Sequence, residues 1–133
     1  MGTFGLQIAK TFNAEVTGVD GAHKFDMMRD LGFDHLIDYK QEDFTQNGLK
    51  YDLILDAKTN RSPGKFLKSL KSKGKYVSVG GQSGKLLQLF FLKGVIKLLT
   101  GKSVNVLALD PNKYLDKTNE MYEQGILLSL IHI

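Results

Sequence analysis

Gly2-Thr3-Phe4-Gly5-Leu6-Gln7-Ile8-Ala9-Lys10-Thr11-Phe12-Asn13-Ala14-Glu15-Val16-Thr17-Gly18-Val19-Asp20 is the stretch that decides how this chain is read. From Phe4 to Phe12 the apolar residues Phe4, Ile8, Ala9 and Phe12 fall at helical spacing on one face. Asn13 tolerates the left-handed turn that ends a helix. Ala14 to Val19 then form a short β-branched run of the kind found in buried strands, and it closes on an acid, Asp20. Glycine, helix, strand and strand-end acid make up the second half of a dinucleotide-binding unit. Its helix N-terminus offers N–H groups to a pyrophosphate, and its acid accepts from ribose hydroxyls about 20 residues beyond the glycines. Gly2 and Asp20 stand 18 positions apart. The strand and earlier glycines of such a unit have no counterpart before Gly2, so the chain is expected to begin inside its own motif.

Outward from Asp20, strands and helices alternate. His23 to Leu31 reads as a helix with Phe25, Met28 and Leu31 on one face and Gly32 as its cap. Phe33 to Tyr39 reads as a strand, and Tyr51 to Ala57 as the clearest strand of all. Ser62 and Pro63 open a third helix, to about Leu70, which Gly74 is expected to end. Lys75 to Val79 is a strand running into Gly80-Gly81, and Ser103 to Leu109 is another. Pro111 to Gln124 reads as a helix with Tyr114, Leu115, Thr118, Met121 and Tyr122 inward, stopped by Gly125. This order predicts an α/β fold, a mostly parallel sheet with helices on both faces. Leu86 to Leu99 stands apart, because its apolar residues nearly encircle a helix broken only by Lys93 and Lys97. It is too short and too charged to span a bilayer, which takes roughly 20 apolar residues. Burial against a missing domain or a second subunit is expected ahead of membrane association. The tail, residues 126–133, has no polar face.

The 133 residues carry 42% hydrophobic and 24% charged side chains, the make-up of an ordinary globular protein. With no cysteine, disulfides and thiolate chemistry are excluded, and a reducing, cytoplasmic setting is compatible. The net charge of +4 favours phosphorylated ligands. No aromatic stacking platform accompanies the lysines, so nucleic acid is not expected as a partner. No His, Asp and Glu residues share metal-ligand spacing, and there is no nucleophile elbow, so neither zinc nor covalent catalysis is expected.

Together these segments resemble the cofactor domain of the medium-chain dehydrogenase/reductase family, in particular its zinc-independent, quinone oxidoreductase-like branch. The resemblance runs through Gly2 to Lys10, Ala14 to Asp20, Leu31 to Tyr39, Tyr51 to Ala57 and Gly74 to Gly81, in the family's order and spacing. It implies a partial NAD(P)-binding Rossmann-like domain over residues 1–125, with the first strand and the catalytic domain missing, and a truncated apolar tail over 126–133. Two positions depart from the family pattern. Gly21-Ala22 stand where relatives often carry hydroxyl residues, and Lys58 stands where a small or apolar residue is usual.

The candidate cofactor residues are Gly2, Thr3, Asp20, His23, Lys24, Tyr39, Ala57, Gly80 and Gly81. Gly2 and Thr3 would face the pyrophosphate, or else form a frayed terminus. Asp20 would take the ribose hydroxyls. His23 and Lys24 could pair with a 2′-phosphate, which favours NADP(H) over NAD(H). Tyr39 would pack near the adenine, and Gly80-Gly81 would let the nicotinamide approach the backbone. His35 and His132 are expected to be structural or solvent-facing. The resemblance implies hydride transfer to a quinone, an enone or a related carbonyl, but no catalytic residue is evident. The competing reading is a non-catalytic piece or interaction module. The isolated chain is expected to bind NAD(P)H weakly or not at all, with negligible turnover, and micromolar saturable binding would favour the cofactor-domain reading.

Overall fold

A computed structural model describes residues 2–80, 83–107 and 113–127. The chain divides into two compact units, residues 1–42 with 110–133, and residues 43–109.

In the first unit, α1 (Gly2–Thr11) leads into β1 (Thr17–Asp20). A 3-10 turn (Ala22–Lys24) and α2 (Phe25–Leu31) cross over to β2 (His35–Asp38). The two strands pair in parallel, with Thr17 opposite His35 and Asp20 opposite Asp38. Asn13 and Gly32 take positive φ, 53° and 98°, at the ends of α1 and α2. Gly32 is the more demanding case: its N–H returns to the Arg29 carbonyl at 2.9 Å, in the left-handed cap that glycine adopts without strain. Gly18 answers a packing need instead. A Cβ there would lie 2.4 Å from the Met28 methyl and 2.8 Å from the Phe33 ring, so a bare backbone lets α2 close onto β1. Met28, Ile37 and Leu6 are buried in this unit. The face of α1 that carries Phe4, Ile8 and Phe12 is largely exposed.

Asp34 ties these pieces together. Its carboxylate accepts from Lys10 Nζ at 2.6 and 2.7 Å and from the Val16 N–H at 2.6 Å, so the end of α1 and the approaches to β1 and β2 are fixed to one side chain.

In the second unit, β3 (Tyr51–Asp56), α3 (Pro63–Lys68), β4 (Leu70–Ser78), α4 (Ser83–Thr100) and β5 (Ser103–Val106) form a three-stranded sheet in the order β3-β4-β5. Both pairings are parallel, and Asp56 lies opposite Ser78, which lies opposite Val106. Ile54, Phe66, Leu70, Tyr76, Leu89, Ile96 and Val104 make the core. The Phe66 and Tyr76 rings stack at 3.7 Å and 9°. Leu89 and Ile96, seven positions apart on α4, bring that helix into the core. All three pairings in the two units are thus parallel and helix-linked, as the alternating sequence predicts, and among the described residues β1 and β3 belong to separate sheets.

Three expectations are corrected. Gly74 does not end a helix: α3 stops at Lys68, and Gly74 is buried inside β4, where a Cβ would meet the Lys71 carbonyl at 2.9 Å. Ser62 takes the extended N-cap conformation but makes no side-chain capping bond. The last helix, α5, runs only from Leu115 to Glu123, and its supposed inner face is open: Tyr114, Leu115 and Tyr122 are all more than half exposed. Helical spacing shows which residues share a face, but not whether anything covers it. His35 is solvent-facing and bonded to Glu15, whereas His132 lies outside the described residues, as does most of the apolar tail.

Two measurements check this packing. The Tyr51 hydroxyl is buried without a hydrogen-bond partner, although its ring packs edge-on against Phe44 at 6.1 Å. Tyr51→Phe should therefore raise stability by about 1 kcal/mol in denaturant titration, because it removes an unpaired polar atom and keeps the ring. The hydrogen bonds from Lys10 and the Val16 N–H hold the Asp34 carboxyl below its ordinary value. The stabilisation they bring is present above the unfolded-state value of 3.8 and is lost as pH falls through the lower folded-state value. Melting temperatures of Asp34→Asn and the parent chain should differ most near neutrality and converge towards about pH 2.

Candidate cofactor site

Four of the predicted residues come together in the first unit. A cleft of about 260 Å³ is lined by Gly2 and Thr3 at the start of α1, Asp20 at the end of β1, and Lys24, with Met27, Met28, Leu31 and Phe33 as its apolar wall. Gly2 is the first residue of a ten-residue helix, so its end of the cleft is a helix N-terminus. Asp20 Oδ1 accepts from the Gly21 N–H at 2.8 Å, and Oδ2 accepts from Lys24 Nζ at 2.9 Å. Burial pushes the Asp20 carboxyl up, but the bonds from Lys24 and Gly21 outweigh it and hold the group ionised below its usual range. Each carboxylate oxygen can still accept a second hydrogen bond, and the Lys24 ammonium keeps donors beyond the one given to Asp20.

His23 and Tyr39 frame the same strand end. A Cβ on Gly21 would lie 2.8 Å from the His23 ring and 3.8 Å from the Tyr39 ring. A hydroxyl residue at position 21 would therefore displace His23. The Tyr39 N–H donates to the Asp20 carbonyl at 3.3 Å, and its ring is 47% exposed.

Ala57 and Gly80 meet in the second unit, at the carboxyl ends of β3 and β4, where a Cβ on Gly80 would lie 3.5 Å from the Ala57 carbonyl. Gly81 lies outside the described residues. Beneath this floor is a network that sequence reasoning missed. Thr59 is fully buried with φ at 44°, a left-handed conformation that β-branched residues seldom adopt. Its hydroxyl donates to the Gly80 carbonyl and also contacts the Ser78 hydroxyl. The Ser78 hydroxyl also reaches the Gly80 carbonyl, at 3.2 Å, so both hydroxyls converge on that one acceptor. Asp56 Oδ1 holds the turn through the Lys58 and Thr59 N–H groups at 2.8 and 3.0 Å, and Oδ2 accepts from the Tyr76 hydroxyl at 2.8 Å. Burial, together with that bond, raises the Tyr76 phenol well above its ordinary value, so it serves as a fixed donor. The only sign of this network in the sequence is that Asp56 is followed by a hydroxyl three residues on.

The sequence profile of the zinc-binding dehydrogenases matches residues 1–117. The chain belongs to that family. Within it the likeness is to the quinone oxidoreductase-like members of the medium-chain dehydrogenase/reductases. A chloroplastic quinone oxidoreductase of Triphysaria versicolor is 26% identical over 137 aligned positions, which take in 98% of this chain and 40% of that protein. A trans-enoyl reductase of Aspergillus terreus is 41% identical over 58 positions, 41% of this chain and 16% of the relative. The Escherichia coli quinone oxidoreductase, solved in complex with NADPH, superposes with a TM-score of 0.69 at 21% identity, over 98% of this chain and 44% of that one. The chain thus spans well under half the length of these relatives, and the parallel α/β layout is that of their Rossmann-like cofactor domain.

The residues on the first unit's cleft suit a dinucleotide's sugar and phosphate: an ionised acid with acceptor capacity, a lysine with donors to spare, and a helix N-terminus. Metal is a different matter. Among the described residues no three His, Asp or Glu side chains gather in a way that could hold an ion, so these residues do not fit a zinc site. Thr59→Val should cost about 1 kcal/mol in thermal unfolding, since it keeps the side chain's shape but removes one of the two hydroxyls that reach the Gly80 carbonyl.

Proposed function

We propose that this chain is the cofactor-binding part of an NAD(P)H-dependent oxidoreductase acting on a quinone, an enone or a related carbonyl. The observation that carries the reading is the cleft that gathers Gly2, Thr3, Asp20 and Lys24. In this reading Gly2 and Thr3 present helix N–H groups to a pyrophosphate, and Asp20 accepts from the adenosine ribose. Lys24 offsets the Asp20 charge, which lessens the repulsion an unpaired acid would exert on a 2′-phosphate, and Lys24 and His23 offer N–H donors to pair with one. NADP(H) is therefore preferred over NAD(H). Tyr39 is assigned to the adenine and Ala57, Gly80 and Gly81 to the nicotinamide, with the Gly80 carbonyl held by the Thr59 and Ser78 hydroxyls. The nicotinamide supplies the hydride, and the protein's part is to hold and orient it.

No residue of this chain is assigned to proton transfer, and the isolated polypeptide is expected to bind cofactor weakly and to turn over negligibly. The cysteine-free sequence is compatible with a reducing, cytoplasmic setting.

Fluorescence titration with NADPH and NADH tests the assignment. NADPH should bind saturably, with a dissociation constant on the order of 0.1 mM. Lys24→Ala should weaken NADPH about tenfold and NADH little, whereas Asp20→Ala should weaken NADH about tenfold. Equal responses of both cofactors to both variants would refute these roles.

A further inference from the structure

The face of α4 that points away from the core is apolar. Leu87, Phe91, Val95 and Leu98 recur at helical spacing and are 58%, 71%, 51% and 86% exposed, with Phe90 and Leu99 beside them. Leu89 and Ile96 occupy the opposite face and are buried in the second unit's core, so rotating the helix to hide the outer face would expose the inner one.

Charge distinguishes the possible occupants of this face. Between Asp56 and Asp110 there is no acidic residue, and the same stretch carries eleven lysines and arginines. Residues 43–109 hold twelve basic and three acidic residues, a net charge of +9 for the unit that bears α4. Two copies meeting through this face would bring two such units together against their own repulsion. Their apolar contact would rest on about six side chains from each copy, far short of the roughly 20–30 residues a side of a standard interface.

Beside the apolar face runs a groove of about 270 Å³ lined by Lys93, Gly94, Lys97, Ser103, Val104 and Asn105. Lys93 reaches across the Phe90 ring, 4.4 Å from its centre, which places a cation at the border between apolar and polar surface. An apolar stripe with two lysines and hydroxyl and amide groups along its flank matches the layering of a lipid interface, with acyl chains below and phosphate headgroups above. Among the described residues no helix is long and apolar enough to cross a membrane, which leaves α4 lying in the plane of the surface.

We propose that α4 docks the chain on an anionic lipid surface. Leu87, Phe91, Val95 and Leu98 enter the acyl boundary, and the Lys93–Lys97 groove receives a lipid phosphate. The sequence pattern pointed first to burial against a protein partner; the outward face and the uncompensated basic charge of its unit favour lipid. The proposal is independent of the cofactor assignment, because none of these residues belongs to that site.

The test is co-sedimentation of the full chain with vesicles of phosphatidylcholine alone and of phosphatidylcholine with about one third phosphatidylglycerol. Binding is expected to the anionic vesicles only, and to be largely lost at about 0.5 M salt. Phe91→Glu should reduce partitioning about tenfold by removing an inserted ring. Lys97→Glu, which leaves the apolar face intact, should reduce it by a similar factor. Circular dichroism of both variants should match the parent, since both positions are exposed, and either variant alone suffices to read the effect. Three results would overturn the proposal: equal binding to both vesicle types, no binding to either, or self-association in sedimentation velocity that Phe91→Glu abolishes while vesicles capture nothing.

Discussion

Parallel strands cannot be joined by a tight turn, and every sheet contact among the described residues obeys that constraint. Each pairing needs a crossover that carries the chain back to the starting end, and a helix supplies it. α2 does so between β1 and β2, α3 between β3 and β4, and α4 between β4 and β5. Within each sheet the strands therefore finish at the same edge. Asp20 stands opposite Asp38 in one sheet, and Asp56, Ser78 and Val106 line up in the other. Side chains from distant parts of the sequence reach a common edge for this reason alone, and open α/β sheets bind their ligands at such edges.

The two edges differ in character. At the end of β1 an ionised acid and a lysine compensate each other beside a helix N-terminus, an arrangement suited to hydroxyls and phosphate. At the ends of β3 and β4, Ala57 and Gly80 bring backbone close together over a buried network of hydroxyls. Thr59 and Ser78 point their hydroxyls inward to fix a carbonyl.

What could be read from the sequence follows from how local each cause is. Gly32 caps a helix and Pro63 opens one because these residues act on their own backbone. Asp20 and Lys24 could each be singled out as ligand-facing, but not their ion pair, since Asp20 ends a strand and only the 3-10 turn after it brings Lys24 back. Gly74 misled because glycine marks both helix ends and crowded strands, and only the Lys71 carbonyl beside it shows which. The covering of a face is not local at all. Leu6 is buried on α1 although the helix's apolar spacing pointed to Phe4, Ile8 and Phe12, and the outer surfaces of α4 and α5 remain open. Thr59 was invisible for a related reason: its strained turn exists because Asp56, Ser78 and Gly80 surround it, and they are up to 21 positions away.

Asp56 serves two masters. One carboxylate oxygen receives the Tyr76 hydroxyl from within the core, and the other receives the amides that shape the turn to Thr59. Residues sharing a single acceptor are energetically coupled, so exchanges at them do not add. The packing of the Tyr76 ring in the interior and the shape of the loop at the strand end therefore hang on one side chain, and neither can be remodelled without disturbing the other.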